Sequence, residues 1–235
     1  MPPWQYTNEK GWVSHDLEEI YANVLVVCRE VAEKAGIDPA QIAAMGISNQ
    51  RETVAAWDRA DGTPVGQAIV WQCARAKEIC DTLASHAEAV REKTGLPLSP
   101  YFSASKMAWI LQNHPEAAAL AAKERLALGT IDSYLVSRLS EERSFKTDYS
   151  NASRTQLFNI RTLQWDDELC TLYGVPRHCL AEVCMSDSLF GTTTLSGFLP
   201  KAIPICGVLG DSHAALLGQN CIKPGQTKAT YGTGS

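Results

Sequence analysis

Apolar side chains at Leu17, Ile20, Tyr21, Val24, Leu25, Val27, Cys28 and Val31 recur at helical spacing, which predicts a helix with one buried face. Asp16 followed by Glu19 gives it an N-terminal capping box, with Asp in place of the usual Ser or Thr, and Gly36 suits its end. Residues 42–48 form a short apolar run that reads as a buried strand. It empties into the polar cluster Asn49-Gln50-Arg51-Glu52-Thr53. Residues 54–57 and 65–70 flank Asp58-Arg59-Ala60-Asp61-Gly62 and predict a β-hairpin with a glycine in its loop.

Further along, residues 75–92 are amphipathic and read as mostly helical, ending at Gly95-Leu96-Pro97. Residues 106–113 and 115–126 give two more helical segments, and residues 131–139 continue the pattern. Residues 148–155 are small and polar, which predicts a loop. Residues 203–210 are a second apolar run ending in a polar cluster, Asp211-Ser212-His213, and residues 214–218 read as the start of a helix. Residues 227–231 read as a short strand entering Gly232-Thr233-Gly234-Ser235. Strands and helices alternate, so the expected fold is α/β, a sheet with helices on its faces. Ligands of open α/β sheets sit beyond the strand ends, so the two apolar strands that run into charged residues mark the expected site.

The length of 235 residues suits one large α/β domain or two small ones. A net charge of −5 leaves no electrostatic footprint for nucleic acid or an anionic membrane surface. No run approaches the roughly 20 apolar residues of a membrane-spanning helix. The first residues have neither the basic start nor the apolar core of a secretory signal, so the expected compartment is the cytoplasm. Eight cysteines show no Cys-x-x-Cys pair and no histidine at zinc-finger spacing, so no metal site or disulfide framework is expected; Cys28 and Cys206, inside apolar runs, read as small buried hydrophobes.

Several residues carry candidate chemistry. Arg51-Glu52 at a strand end offers a donor fork and an acceptor to neighbouring hydroxyls of a polyol, and fits a plain ion pair equally well. Trp71, after another apolar run, offers an indole to cover a polyol's carbon backbone, or a core packing residue. Asp211 is placed to take a proton from an attacking hydroxyl; as a bare pattern it also fits the N-cap of a helix beginning at Ser212. His213 reads as a base or as a hydrogen-bonded residue of the helix's first turn. Gly232-Thr233-Gly234 offers amides and a hydroxyl to phosphate oxygens, or an ordinary tight turn. The stretch Tyr149-Ser150-Asn151-Ala152-Ser153 has no mechanism that spacing reveals.

Together these segments resemble the FGGY carbohydrate kinases, and within them the glycerol kinases. The likeness runs through Gly11-Trp12-Val13-Ser14-His15-Asp16, Ser48-Asn49-Gln50-Arg51-Glu52-Thr53 and Ile69-Val70-Trp71-Gln72-Cys73. It continues in residues 101–113, which fit the first family signature, in residues 147–155 and 157–160, and in Gly207-Val208-Leu209-Gly210-Asp211 and Tyr231-Gly232-Thr233-Gly234. The resemblance implies a ribonuclease H-like, actin–hexokinase architecture and an ATP- and Mg²⁺-dependent polyol kinase. It implies that Arg51, Glu52, Trp71, Tyr101, Asp211 and Ser212 hold the polyol. It further implies Asp211 as catalytic base and Mg²⁺ contact, and Gly232, Thr233 and Gly234 beside the ATP phosphates. The implied partners are a small polyol and an ATP-binding domain; a homo-oligomer is compatible with it.

The chain also departs from the family. The family's opening Asp-Gln-Gly-Thr-Thr-Ser phosphate loop and its strands have no counterpart. Residues 1–222 are expected to form the substrate-binding domain and 223–235 to begin the second, so the chain alone is expected to be inactive. An open sheet edge and uncovered apolar surface are expected to follow, with self-association. Ser212-His213 follows the catalytic Asp where glycerol kinases usually carry Gln, and Ala74-Arg75 stands where a double Arg is common.

Overall fold

Asp16 begins the first long helix, α1 (Leu17–Ala35), by accepting hydrogen bonds on its carboxylate from the Glu18 and Glu19 amides. Gly36 ends it in the left-handed region, at φ 63°. The computed structural model describes residues 5–229. Before α1 lie β1 (Tyr6–Thr7) and β2 (Val13–His15). After it come β3 (Met45–Asn49), the hairpin β4 (Val54–Asp58) and β5 (Ala68–Ile69), then α2 (Lys77–Thr82), α3 (Ala87–Thr94), α4 (Ser103–Asn113) and α5 (Pro115–Ala122). The second half begins with β6 (Leu126–Thr130), α6 (Ile131–Leu139), β7 (Lys146–Asp148) and a single turn, α7 (Tyr149–Ala152). It ends with β8 (Phe158–Asn159), β9 (Gln164–Trp165), α8 (Asp167–Tyr173), β10 (Glu182–Cys184), β11 (Gly191–Thr193), β12 (Ile203–Gly210) and α9 (Asp211–Gly218).

Five strands form an antiparallel sheet in the order β1-β2-β5-β4-β6. A second sheet, β11-β12-β3, pairs β12 with β3 in parallel. Strand β4 is buried throughout and its alternating side chains divide between two cores. Val54 and Ala56 pack with Ile69, Met107, Ile110 and Leu128 beneath α4 and α5. Ala55 and Trp57 face the opposite way, into a core shared with Leu17, Tyr134, Ile205 and Val208. Trp57 is fully buried, edge-on to Tyr134 at 5.4 Å and to Phe145 at 5.3 Å. A Cβ on Gly129 would come within 3.2 Å of the Trp57 ring and collide with the Ser133 hydroxyl, so a side chain there is excluded.

The hairpin at 54–70, the helix behind Asp16 and the strand at 203–210 lie where the pattern put them. Other segments differ. Residues 115–126 are not one helix: α5 stops at Ala122 and Leu126–Thr130 is the fully buried strand β6. No glycine or proline separates that Ala-rich helix from the apolar strand, and only pairing with β4 makes it extended. The strand at 42–48 begins at Met45 and is half-buried, because β3 lies at a sheet edge with Gly46 and Ser48 exposed. Beside that edge Val27, Val31, Ile37, Ile42 and Met45 line an apolar groove of about 280 Å³. Residues 148–155 contain the turn α7 rather than loop alone, because the Asp148 carboxylate caps it through the Ser150 and Asn151 amides. The helix expected at 214 starts at Asp211. Of the strand expected at 227–231, residues 227–229 are not extended into a sheet and the rest lies outside the described residues. All eight cysteines are free; Cys28 is half-buried and Cys206, expected in the core, is exposed, because it faces away from the core that its β12 neighbour Ile205 enters.

Asp132, in the first turn of α6, is fully buried and accepts from the Thr130 and Thr147 hydroxyls, each at 2.6 Å. Burial pushes its carboxyl up to about 6 against those donors, with Asp148 adding to the rise. Between about pH 4 and 6 the folded chain therefore holds a proton that the unfolded chain releases, so this group's contribution to stability falls as pH rises through that window. Asp132→Asn removes the titration. The variant is expected to gain on the wild type between pH 4 and 6, by on the order of 1–2 kcal/mol. Thermal melts from pH 4 to 7 check it, and parallel curves for the two proteins would count against it.

Candidate functional site

The parallel pairing of β3 and β12 sets Ser48 opposite Leu209 and Asn49 opposite Gly210, so both strands release their chains at the same end. Arg51 follows one strand and Asp211 the other. Arg51 Nε lies 3.6 Å from Asp211 Oδ1, and Arg51 Nη1 lies 3.1 Å from His213 Nδ1. Arginine has only donors, so His213 Nδ1 accepts this bond. Burial, and then the Arg51 charge beside it, hold the His213 pKa below its usual value, which favours that neutral ring. The Arg51 side chain is 13% exposed, and its buried Nε has no hydrogen-bond partner. Gly210 makes this arrangement possible: a Cβ there would overlap the Arg51 stem.

Asp211 is the first residue of α9, with Gly210 at the cap position, and its Oδ1 accepts from the Ser212 amide at 2.7 Å. Its side chain is 60% exposed. Glu52 sits in a left-handed turn at φ 63° with its carboxylate buried, and Oε1 accepts from Arg154 Nε at 2.6 Å. The Trp71 amide donates to Thr53 Oγ1, and the Trp71 ring stands 5.6 Å from the Tyr101 ring. Burial, followed by the Glu52 charge, raises the Tyr101 pKa. Behind Tyr101, fully buried Lys106 donates from Nζ to the Tyr101 carbonyl at 2.5 Å and the Phe102 carbonyl at 3.2 Å, pinning this corner to α4. Burial lowers the Lys106 pKa to about 7, opposed by Glu52.

Arg51, Glu52, Trp71, Tyr101, Asp211 and Ser212 thus gather around one patch. Gly232, Thr233 and Gly234 lie outside the described residues. Sequence reasoning missed Arg154 and Lys106. Lys106 stands inside the signature stretch, whereas Arg154 is 102 residues from Glu52 and no local spacing connects them. Among the described residues no three His, Cys, Asp or Glu side chains form a metal cage. Mg²⁺ keeps several waters and takes one or two carboxylates beside phosphate oxygens, so a single open carboxylate such as Asp211 suits it.

The N-terminal domain model of the FGGY family of carbohydrate kinases matches residues 2–218. The chain belongs to this family. Among FGGY relatives, glycerol kinase 1 of Thermotoga maritima is 48% identical over 98% of this chain and 47% of its own length. A glycerol kinase of Sinorhizobium fredii is 51% identical over 98% of this chain and 46% of its own. The chain therefore spans about half the length of the curated relatives it matches. The crystal structure of Plasmodium falciparum glycerol kinase with ADP superposes with a TM-score of 0.92 at 34% identity, covering 99% of this chain and 47% of that one. Xylulose kinase of Lactobacillus acidophilus shares the fold at a TM-score of 0.78 and 21% identity, over 93% of this chain and 44% of that one. The architecture is that of the actin–hexokinase-like sugar kinases, a mixed α/β fold with helices on its sheets. No helix among the described residues is long and apolar enough to cross a membrane.

Proposed function

We propose that this chain supplies the polyol site of an ATP-dependent kinase that converts glycerol and ATP to glycerol 3-phosphate and ADP. The observation that carries this reading is the buried, unpartnered Arg51 Nε held 3.6 Å from the exposed Asp211 carboxylate at the ends of two parallel strands. A hydroxyl bridging the pair from the exposed Asp211 side can accept from the Arg51 guanidinium while giving its proton to Asp211. Glu52 accepts from a neighbouring hydroxyl, and the edge-packed Trp71 and Tyr101 rings cover the carbon chain. The deprotonated oxygen then attacks the γ-phosphorus of ATP, the bond to the ADP oxygen breaks, and Asp211 keeps the proton. Bound Mg²⁺ would neutralise charge on the phosphates.

In this reading residues 1–222 are the substrate domain, residues 223–235 begin the ATP-binding one, and the protein works in the cytoplasm. Glycerol is favoured because the relatives at about half identity are glycerol kinases. Ser212 and the Arg51-bonded His213 leave room for a shifted polyol preference.

ATP consumption with glycerol, erythritol, xylitol and xylulose tests the proposal. It is measured on this chain and on the chain joined to the segments its relatives carry outside the matched half. Glycerol-dependent turnover in the longer form is the expected result. Polyol binding without turnover in either form would replace it with a non-catalytic polyol-binding module. A preference for another polyol would reassign the substrate and point to Ser212 and His213.

A further inference from the structure

Residues 149–153 have no mechanism that their spacing reveals, yet in the fold they and the two residues after them reach Gly210, Asn49, Glu52 and the corner that carries Tyr101. Ser150 Oγ accepts from the Gly210 amide at 2.7 Å, immediately before Asp211. Asn151 and Asn49 exchange side-chain amide bonds of 2.9 and 3.2 Å at the end of β3, two residues before Arg51. The Thr155 carbonyl accepts from the Ala104 amide at 2.8 Å, next to the corner that carries Tyr101. Arg154 closes the set, with Nε on Glu52 and its guanidinium 4.9 Å from the Phe102 ring and 6.0 Å from the Tyr101 ring.

We propose that Arg154 is a positioning residue that aims the Glu52 carboxylate at the substrate's hydroxyls. The inference rests on reading this patch as a polyol site. Three features support it. Glu52 is 3% exposed and lies on a left-handed backbone that non-glycine residues adopt uncommonly, so its side chain needs an external tether to hold one direction. The tether is cationic, which offsets the desolvation penalty that a buried carboxylate carries. It is also held in place, since the guanidinium carbon lies over the Phe102 ring at 4.9 Å from its centre, whereas a lysine would supply only a mobile point charge. Arg154 occupies one carboxylate oxygen through Nε. The remaining acceptor capacity of Glu52 is then directed at a substrate hydroxyl.

The test uses calorimetric titration of the chain with glycerol and with 1,2-propanediol, which lacks one hydroxyl, alongside thermal melts. Arg154→Met is expected to weaken glycerol binding at least tenfold and to bring the glycerol-to-propanediol preference toward unity. Arg154→Lys is expected to recover the melting temperature but not that preference. If Arg154→Met does not fold, Arg154→Met/Glu52→Gln removes the unpaired charge and is expected to bind glycerol like Glu52→Gln alone. A further tenfold loss in that double variant would overturn the proposal. So would wild-type affinity and preference in Arg154→Met with only the melting temperature lowered, since Arg154 would then be purely structural. Absence of glycerol binding by the wild-type chain would instead remove the polyol reading, and this inference with it.

Discussion

Asp211→Asn is expected to lower glycerol-dependent turnover by on the order of 10²- to 10⁴-fold, the range general-base catalysis contributes, while glycerol affinity changes by less than about threefold. The substitution keeps the shape of the side chain and an Oδ1 able to accept from the Ser212 amide, so the start of α9 is preserved. It removes the negative charge and the capacity to take a proton. The attraction lost toward Arg51 is small, because the pair is 3.6 Å apart and the Asp211 side chain is 60% exposed; such pairs contribute roughly 0–1 kcal/mol. His213 still holds the other end of the Arg51 guanidinium, so the polyol's donor stays in place. Steady-state kcat and KM, measured on the chain joined to the rest of a full-length kinase, separate these effects. Unchanged turnover would remove Asp211 from the base role, and a large rise in KM with kcat intact would make it a binding residue only.

What the sequence revealed of this site follows from which information is local. The two apolar runs ending in Arg51-Glu52 and Asp211 are local signals, and the rule that α/β ligands sit beyond strand ends was enough to nominate both. That they meet depends on the β3–β12 register, which no pattern of either strand states. Asp211 shows the limit of local reasoning. As a bare pattern it fitted an N-cap, and the structure places it one residue inside α9 instead, with its carboxylate toward Arg51. The resemblance to FGGY kinases, rather than periodicity, tilts Trp71 from a core residue to a site residue, and it is the sole source for Tyr101. Strand β6 was hidden because its Leu and Ala residues suit a helix equally well, and only its partner β4 decides. Arg154 and Lys106 were illegible for a related reason. Each acts on a neighbour that tertiary packing supplies, and a basic residue in a polar stretch or an apolar helix announces no such partner.

Gly210→Ala tests how much of the site depends on that packing rather than on the reacting groups. Glycerol affinity is expected to fall about a hundredfold, about 2.7 kcal/mol, with the melting temperature nearly unchanged. The backbone gives no reason for a glycine here, since φ −58° and ψ 140° are open to any residue. Space does: a Cβ would overlap Arg51 Cδ and stand 2.7 Å from Cγ. The Arg51 stem is flexible, so it gives way, and its guanidinium leaves both Asp211 and His213. Charge-assisted hydrogen bonds are worth roughly 1.5–3 kcal/mol each, so losing one or two to the substrate accounts for the expected drop. Folding is little affected, because alanine restricts the unfolded chain by about 0.4–1 kcal/mol, which offsets the cost of moving one side chain. Calorimetric titration of Gly210→Ala, Arg51→Ala and the double variant decides the matter. If the glycine acts only by making room for Arg51, all three bind glycerol equally weakly. Wild-type affinity in Gly210→Ala would show that Arg51 reaches the polyol by another path, and the donor role assigned to its guanidinium in this arrangement would have to be given up.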